Sequence, residues 1–181
     1  MAGLTWEMSE QLKIDFLLPA IERRRIGAIV LLPMSLLMPD VAYQCREPFL
    51  QICEKASPQE LRATAYWKSR EAIGHSTEYI QRRVESYIKL LKKIRRKGIV
   101  TNPSDPRSFP IVLVHGDIYQ RLDGAHRVSI YRSLGHNTVE VWLVTTGEIL
   151  AKLVLPPDLK TALESEVNPW VYAHEYTENG K

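Results

Sequence analysis

The stretch that decides the fold runs from Pro110 to Val144, PIVLVHGDIYQRLDGAHRVSIYRSLGHNTVEVWLV. Ile111–Val114 and Ile118–Leu122 are short runs of β-forming residues, and His115-Gly116-Asp117 between them suits a hairpin connection. Asp123-Gly124 ends the second run. From Ala125 to Leu134 the period changes, with Val128, Tyr131 and Leu134 at helical spacing and Gly135 as a stop. Asn137 turns the chain into Thr138–Val144, a further strand. This order predicts an α/β (α+β) core in which helices pack on a mixed sheet.

Upstream, Ser76 or Thr77 caps a helix that runs to about Lys97, where Gly98 stops it. Ile80, Val84, Tyr87, Ile88, Leu91 and Ile94 share one face of it. Glu78 sits in its first turn and Lys92, Lys93, Arg95, Arg96 and Lys97 crowd the last turns, complementing the helix dipole. A polar loop with Pro103, Pro106 and Pro110 leads into the hairpin. These elements define a core over residues 66–145.

Residues 1–65 read as a mainly helical N-terminal extension, punctuated by Pro19, Pro33, Pro39, Pro48 and Pro58. Within it GAIVLLPMSLL suits a buried strand followed by a turn, or a helical segment, because a short apolar run has no decisive period. Asp40 to Lys55 reads as weakly helical. Ser57-Pro58-Gln59-Glu60 has the order of a helix start, with Ser57 as N-cap. Residues 146–181 read as a C-terminal helical segment, with helices over Glu148–Val154 and Asp158–Val167 divided by Pro156-Pro157, and a loose tail beyond His174.

Composition narrows the class. At 45% apolar and 25% charged residues, the 181-residue chain has the balance of a folded globular protein. A net charge of +3 is too small to imply nucleic acid by itself. Cys45 and Cys53 lack metal or disulfide spacing and read as free thiols, and His75, His115, His136 and His174 lack ligand spacing too. The N-terminus has no signal-peptide pattern, and Pro33 interrupts the apolar stretch Ile26–Met38 well short of a membrane span. A cytoplasmic protein with no membrane partner is expected. The basic run Lys92–Lys97 allows a weak, non-specific contact with DNA. Tyr66-Trp67-Lys68-Ser69-Arg70 either borders a pocket or buries Trp67 as core.

Strand, then Asp123-Gly124-Ala125-His126-Arg127, then helix is the arrangement that carries chemistry. The first helical amides lack intrahelical partners and favour an anion. Gly124 permits a sharp turn and a close ligand approach. Arg127 offers a permanent cationic fork for phosphate, and His126 a hydrogen-bond donor or proton shuttle. Asp123 suits a substrate hydroxyl or a cation such as magnesium. The plainer alternative is a strand-to-helix turn with Asp123 as cap and Arg127 paired to Glu140 or Glu148.

Residues 76–144, on Pro110–Val114, Asp123–Val128 and Leu134-Gly135, resemble the N-terminal domain of ParB and its relatives. That superfamily includes chromosome-partition CTPases, sulfiredoxin and free-serine kinases. The resemblance implies a ParB/sulfiredoxin-like nucleotide-binding fold, with Gly124, Ala125, His126 and Arg127 at a nucleotide (ATP or ADP, or CTP) and Asp123 at Mg2+. Ala125 stands where sulfiredoxin has its catalytic cysteine. Partition proteins usually carry Gly-Glu-Arg-Arg, of which this chain keeps Gly124 and Arg127. They also carry a downstream helix-turn-helix domain, for which too few residues follow Val144. Asp-Gly before His and Arg is closest to the kinase branch, which implies catalytic roles for Asp123 and His126, and for Glu71 or Glu78 as base. The function so implied is a nucleotide-dependent phosphotransferase acting on a small hydroxylated metabolite or sugar. The alternative is a non-catalytic module that senses a nucleotide or docks on DNA or a protein partner.

Overall fold

A computed structural model describes residues 6–37, 44, 46–99, 101–116 and 118–165. Expectations for Cys45, Asp117, the segment 38–43 and everything from 166 onward, His174 included, lie outside the described residues. In chain order the elements are α1 (Trp6–Gln11), a π-helical turn (Leu12–Leu17), α2 (Leu18–Glu22), β1 (Ala28–Pro33) and a 3-10 turn (Met34–Leu36). Next come α3 (Glu47–Ile52), α4 (Pro58–Ala63), α5 (Ala65–Ala72), α6 (Thr77–Lys97) and a second 3-10 turn (Pro106–Ser108). The remainder is β2 (Ile111–His115), β3 (Ile118–Arg121), α7 (Ala125–Ser133), β4 (Thr138–Thr145), α8 (Thr146–Lys152) and α9 (Pro157–Glu164). Among the described residues the fold is a mixed α+β one whose four strands form a single mixed sheet.

The described residues divide into two compact units. Of the described residues, the sheet unit draws on 6–33, 101–116, 118–124 and 138–165, and the helical unit on 34–37, 44, 46–99 and 125–137.

In the sheet unit the strand order is β1-β4-β2-β3. β2 and β3 form the expected antiparallel hairpin, with Leu113 opposite Gln120. β4 lies parallel to β2, with Ile111 opposite Trp142, and antiparallel to β1, with Val30 opposite Val141. Within the ambiguous run GAIVLLPMSLL, Ala28–Pro33 is therefore a strand followed by a 3-10 turn, and its expected burial is corrected: as an edge strand it is largely exposed, with only Leu32 buried. Pro33 closes that strand, on an edge where a missing N–H is tolerated. Alternate residues of the strands build the core: Ile111, Leu113, Trp142 and Val144 are buried with Leu12, Leu17 and Ile21 and with Ile149, Leu159 and Leu163. Before Pro19 the helix widens, and the Leu18 N–H bonds Lys13 O, one residue further back than in an α-helix.

In the helical unit, local signals act as the sequence implies. Ser57 and Glu60 form a reciprocal capping box, with the Ser57 N–H donating to Glu60 Oε2 at 2.7 Å. Ser76 caps α6 and Gly98, at φ +76°, ends it. The α6 stripe is buried at Ile80, Val84, Tyr87, Leu91 and Ile94, with Ile88 half-buried. α7 departs from its expected face. Leu134 is exposed, whereas Val128, Ser129, Ile130 and Tyr131 are all buried. Four consecutive buried residues place most of the circumference of that helix in the core, so no single stripe describes it.

Gly27 joins α2 to β1 at φ +78°, and a Cβ there would overlap the Trp142 indole and lie 2.8 Å from Leu143 O. Its N–H donates to Glu148 Oε2 at 2.9 Å, and Trp142 Nε1 donates to Ile26 O at 3.1 Å. Gly27→Ala is expected to destabilise the protein by about 3 kcal/mol, through left-handed strain and overpacking together. Urea denaturation followed by tryptophan fluorescence measures this directly, and a change below about 1 kcal/mol would contradict the register described.

Candidate functional site

The chain leaves β3 at Arg121, and the next two residues are stapled to the start of β2. The Leu122 and Asp123 N–H groups both donate to Ile111 O, at 2.8 and 3.3 Å. Asp123 is exposed, and its Oδ1 accepts from the Gly124 N–H at 2.7 Å, so the carboxylate braces its own turn. Gly124 has φ +87°, and a Cβ there would lie 2.7 Å from Pro110 Cα and Cβ. Glycine is thus required by backbone conformation and by Pro110. The sequence reading that Gly124 opens the backbone to a ligand is corrected in that respect, because the side a Cβ would occupy faces Pro110.

α7 begins at the next residue, with Ala125, His126 and Arg127 in its first turn. Arg127 is half-buried. Of the acids weighed as its partners, Glu140 accepts from Thr101 at 2.9 Å, and Glu148 accepts from Gly27 and from Lys152.

His126 is held inside the helical unit. Its Nε2 lies 2.7 Å from the Tyr66 hydroxyl, and its ring centroid lies 4.2 Å from that of Tyr87. Tyr66, Tyr87 and Phe49 pack against one another, with Phe49 centroids 4.7 and 5.2 Å from the two tyrosines. The Tyr87 hydroxyl is bonded to Ser129 Oγ, which also donates to His126 O at 3.0 Å. Arg46 is buried and faces this group electrostatically, and the Arg70 guanidinium lies 5.6 Å from the centre of the Tyr66 ring. Burial pushes the Tyr87 phenol well above its ordinary range, against the opposing pull of Arg46 and Ser129. Burial likewise raises the Cys53 thiol, although Arg95 and Lys92 draw it down.

The two glutamates proposed as bases sit elsewhere in this unit. Glu71 accepts from Trp67 Nε1 at 2.8 Å, on the last turn of α5. Glu78 is exposed in the first turn of α6, where backbone and Ser76 hydrogen bonds hold its carboxyl below the ordinary value. Trp67 is both core and border: it is 3% exposed, yet lines a surface cleft with Leu61, Val84 and Ile88. Among the described residues no three His, Cys, Asp or Glu side chains group so as to hold a metal ion. Lys92, Lys93, Arg95, Arg96 and Lys97 are exposed, and Arg95 pairs with Glu54.

Ser129, Phe49 and Arg46 were not among the residues singled out from sequence, and Tyr87 was read only as part of the apolar face of α6. Tyr66 belonged to a flagged segment, but its partner lies sixty positions away. No local pattern joins them.

Tyr66→Phe removes the hydrogen bond to His126 and keeps the ring, so it is expected to cost about 1 kcal/mol and to shift the His126 imidazole nitrogen resonances. The Tyr87 phenol is raised in the native state, so its proton stays bound there after the unfolded chain has lost it. Its contribution to stability is therefore complete below a pH of about 10 and declines as pH rises beyond it. Denaturant midpoints of Tyr87→Phe and the parent across alkaline pH should converge for this reason.

No protein-family model, no curated protein and no solved structure matches this chain.

Proposed function

We propose that the chain is a nucleotide-binding domain of the ParB/sulfiredoxin type that transfers a phosphoryl group from a nucleotide to the hydroxyl of a small metabolite or sugar. The observation that carries this is the turn itself. A strand ends at Arg121, a left-handed glycine follows at Gly124, and α7 begins one residue later with Arg127 in its first turn. The first amides of such a helix and an adjacent guanidinium form a donor set with the chemistry of a phosphate site.

The nucleotide, when bound, supplies the phosphoryl group. The amides of Ala125, His126 and Arg127 and the Arg127 side chain hold its phosphate. Asp123, exposed and accepting only a short bond from Gly124 among its described contacts, keeps lone pairs for Mg2+ or for the acceptor hydroxyl. Asp123 would hold a magnesium ion there, which would supply neutralisation of the phosphate charge. His126, aligned by Tyr66, holds or moves a proton beside the phosphate. Both glutamates are exposed, and as base Glu71 has to exchange its Trp67 bond, or Glu78 its bonds to Ser76 and the backbone, for the acceptor hydroxyl.

One observation favours the second reading, a non-catalytic module that senses a nucleotide or docks on DNA or a protein. His126 Nε2 and the Glu71 carboxylate are both engaged with aromatic side chains of the helical unit, as structural residues are.

Calorimetric titration with ATP, ADP, CTP and GTP in magnesium, joined to a product assay, separates the two. Arg127→Ala should weaken nucleotide binding by about ten- to a hundredfold, the loss of a charge-assisted bond of about 1.5–3 kcal/mol. Asp123→Asn should lower turnover more than affinity. Unchanged affinity in a folded Arg127→Ala protein removes the site, and binding without turnover in the parent selects the module.

A further inference from the structure

The C-terminal end of α2 carries an arginine where helix geometry favours glycine. The Arg25 N–H bonds Ala20 O at 2.9 Å and the Arg24 N–H bonds Ile21 O at 2.8 Å, the paired closure of a Schellman end. That closure holds Arg24 at φ +54°, and no other non-glycine residue among those described has a positive φ. In this conformation the Cβ crowds the backbone, a strain glycine escapes.

Arg23, Arg24 and Arg25 are all exposed. Arg24 Nη2 donates to Pro103 O at 2.9 Å, and none of the three arginines has an ion pair among the described residues. The carboxylates nearest in the contact network are already matched. Glu22 pairs with Arg107 at 2.5 Å, and Glu148 pairs with Lys152 at 2.7 Å, while Lys152 also donates to Arg25 O. Five cations thus meet these two carboxylates and Asp105, whose Oδ1 accepts from the Arg107 N–H, so positive charge is in excess by two at this place on the sheet unit. The dipole of a short helix favours a cation at this end, but it does not call for three in succession or for strain at the middle one.

We propose that Arg23-Arg24-Arg25, flanked by Arg107 and Lys152, is a docking site for the phosphate backbone of a nucleic acid. Guanidinium forks match phosphate oxygens in pairs. The residues carrying the charge include no aromatic side chain for stacking and no helix for a groove, so contact is with phosphate and is blind to sequence. The same residues offer no apolar surface to bury in a membrane interface. This site is separate from the glycine turn and does not depend on nucleotide binding there.

The test is fluorescence anisotropy of the full chain with a labelled oligothymidylate of about twenty nucleotides, across salt from about 50 to 200 mM. Three phosphate contacts on a single strand give a log–log salt slope of about −2. Arg23→Gln with Arg25→Gln, both exposed and so harmless to the fold, should lower affinity at least about tenfold at low salt and flatten the slope to about −0.7. Arg24→Gly should weaken binding severalfold while raising the melting temperature by about 2–4 °C, because it relieves the strain. Lys92→Gln with Lys93→Gln, on the other basic run, should change affinity less than about twofold. No binding at low salt, unchanged affinity in the double arginine variant, or unchanged affinity in a stabilised Arg24→Gly protein would each overturn the proposal. Equal displacement of the labelled strand by polyglutamate would overturn it in favour of an acidic protein partner.

Discussion

Three parts of the sheet unit converge on Pro110 and Ile111, where β2 begins. Pro110 O accepts the Trp142 N–H at 2.8 Å and so starts the parallel pairing with β4. Ile111 O accepts from both Leu122 and Asp123, which closes the hairpin end. The Pro110 ring and Cα then fill the space a Cβ on Gly124 would need. A parallel pair cannot be joined by a tight turn, so the chain must leave the sheet between β3 and β4 and return. The glycine turn is where it leaves. Its geometry is thus a property of the sheet before it is a property of any ligand, and a substitution at Gly124 would disturb strand pairing.

The helical unit is organised around a polar group in an aromatic setting. Tyr87, Ser129 and the His126 carbonyl form a buried chain of hydrogen bonds, with Tyr66 on the imidazole. Such a network is costly when partly satisfied and specifying when complete, since apolar packing alone would let these rings slide. It explains why a serine sits in the middle of α7 at full burial. It also gives His126 a fixed orientation whichever functional reading holds. A histidine with one ring nitrogen bonded to a phenol is either a positioned proton carrier or a structural one, and only its chemistry in solution separates them. Against this, the arginine end of α2 places a left-handed residue on the surface, closed by its backbone bonds to Ala20 and Ile21 and by the Arg24 bond to Pro103 O.

What the sequence determined by itself was whatever depends on neighbours along the chain. The Ser57–Glu60 capping box, the span of α6 from Ser76 to Gly98, the hairpin and the glycine turn all rest on residues within a few positions of one another, where period, caps and stops act directly. The motif Asp123–Arg127 was legible for the same reason. Tertiary structure alone decided the rest. Ala28–Pro33 of GAIVLLPMSLL became a strand because β4 offers it an edge in register, and no period within the run contains that fact. Leu134 proved exposed and Ser129 buried because the surroundings of α7, not its own spacing, set its faces. Tyr66 met His126 across sixty residues, and Gly124 met Pro110 across a hairpin, since contacts of that kind are fixed by strand order and helix packing. Local chemistry specifies elements; pairing between distant segments specifies which of their residues meet.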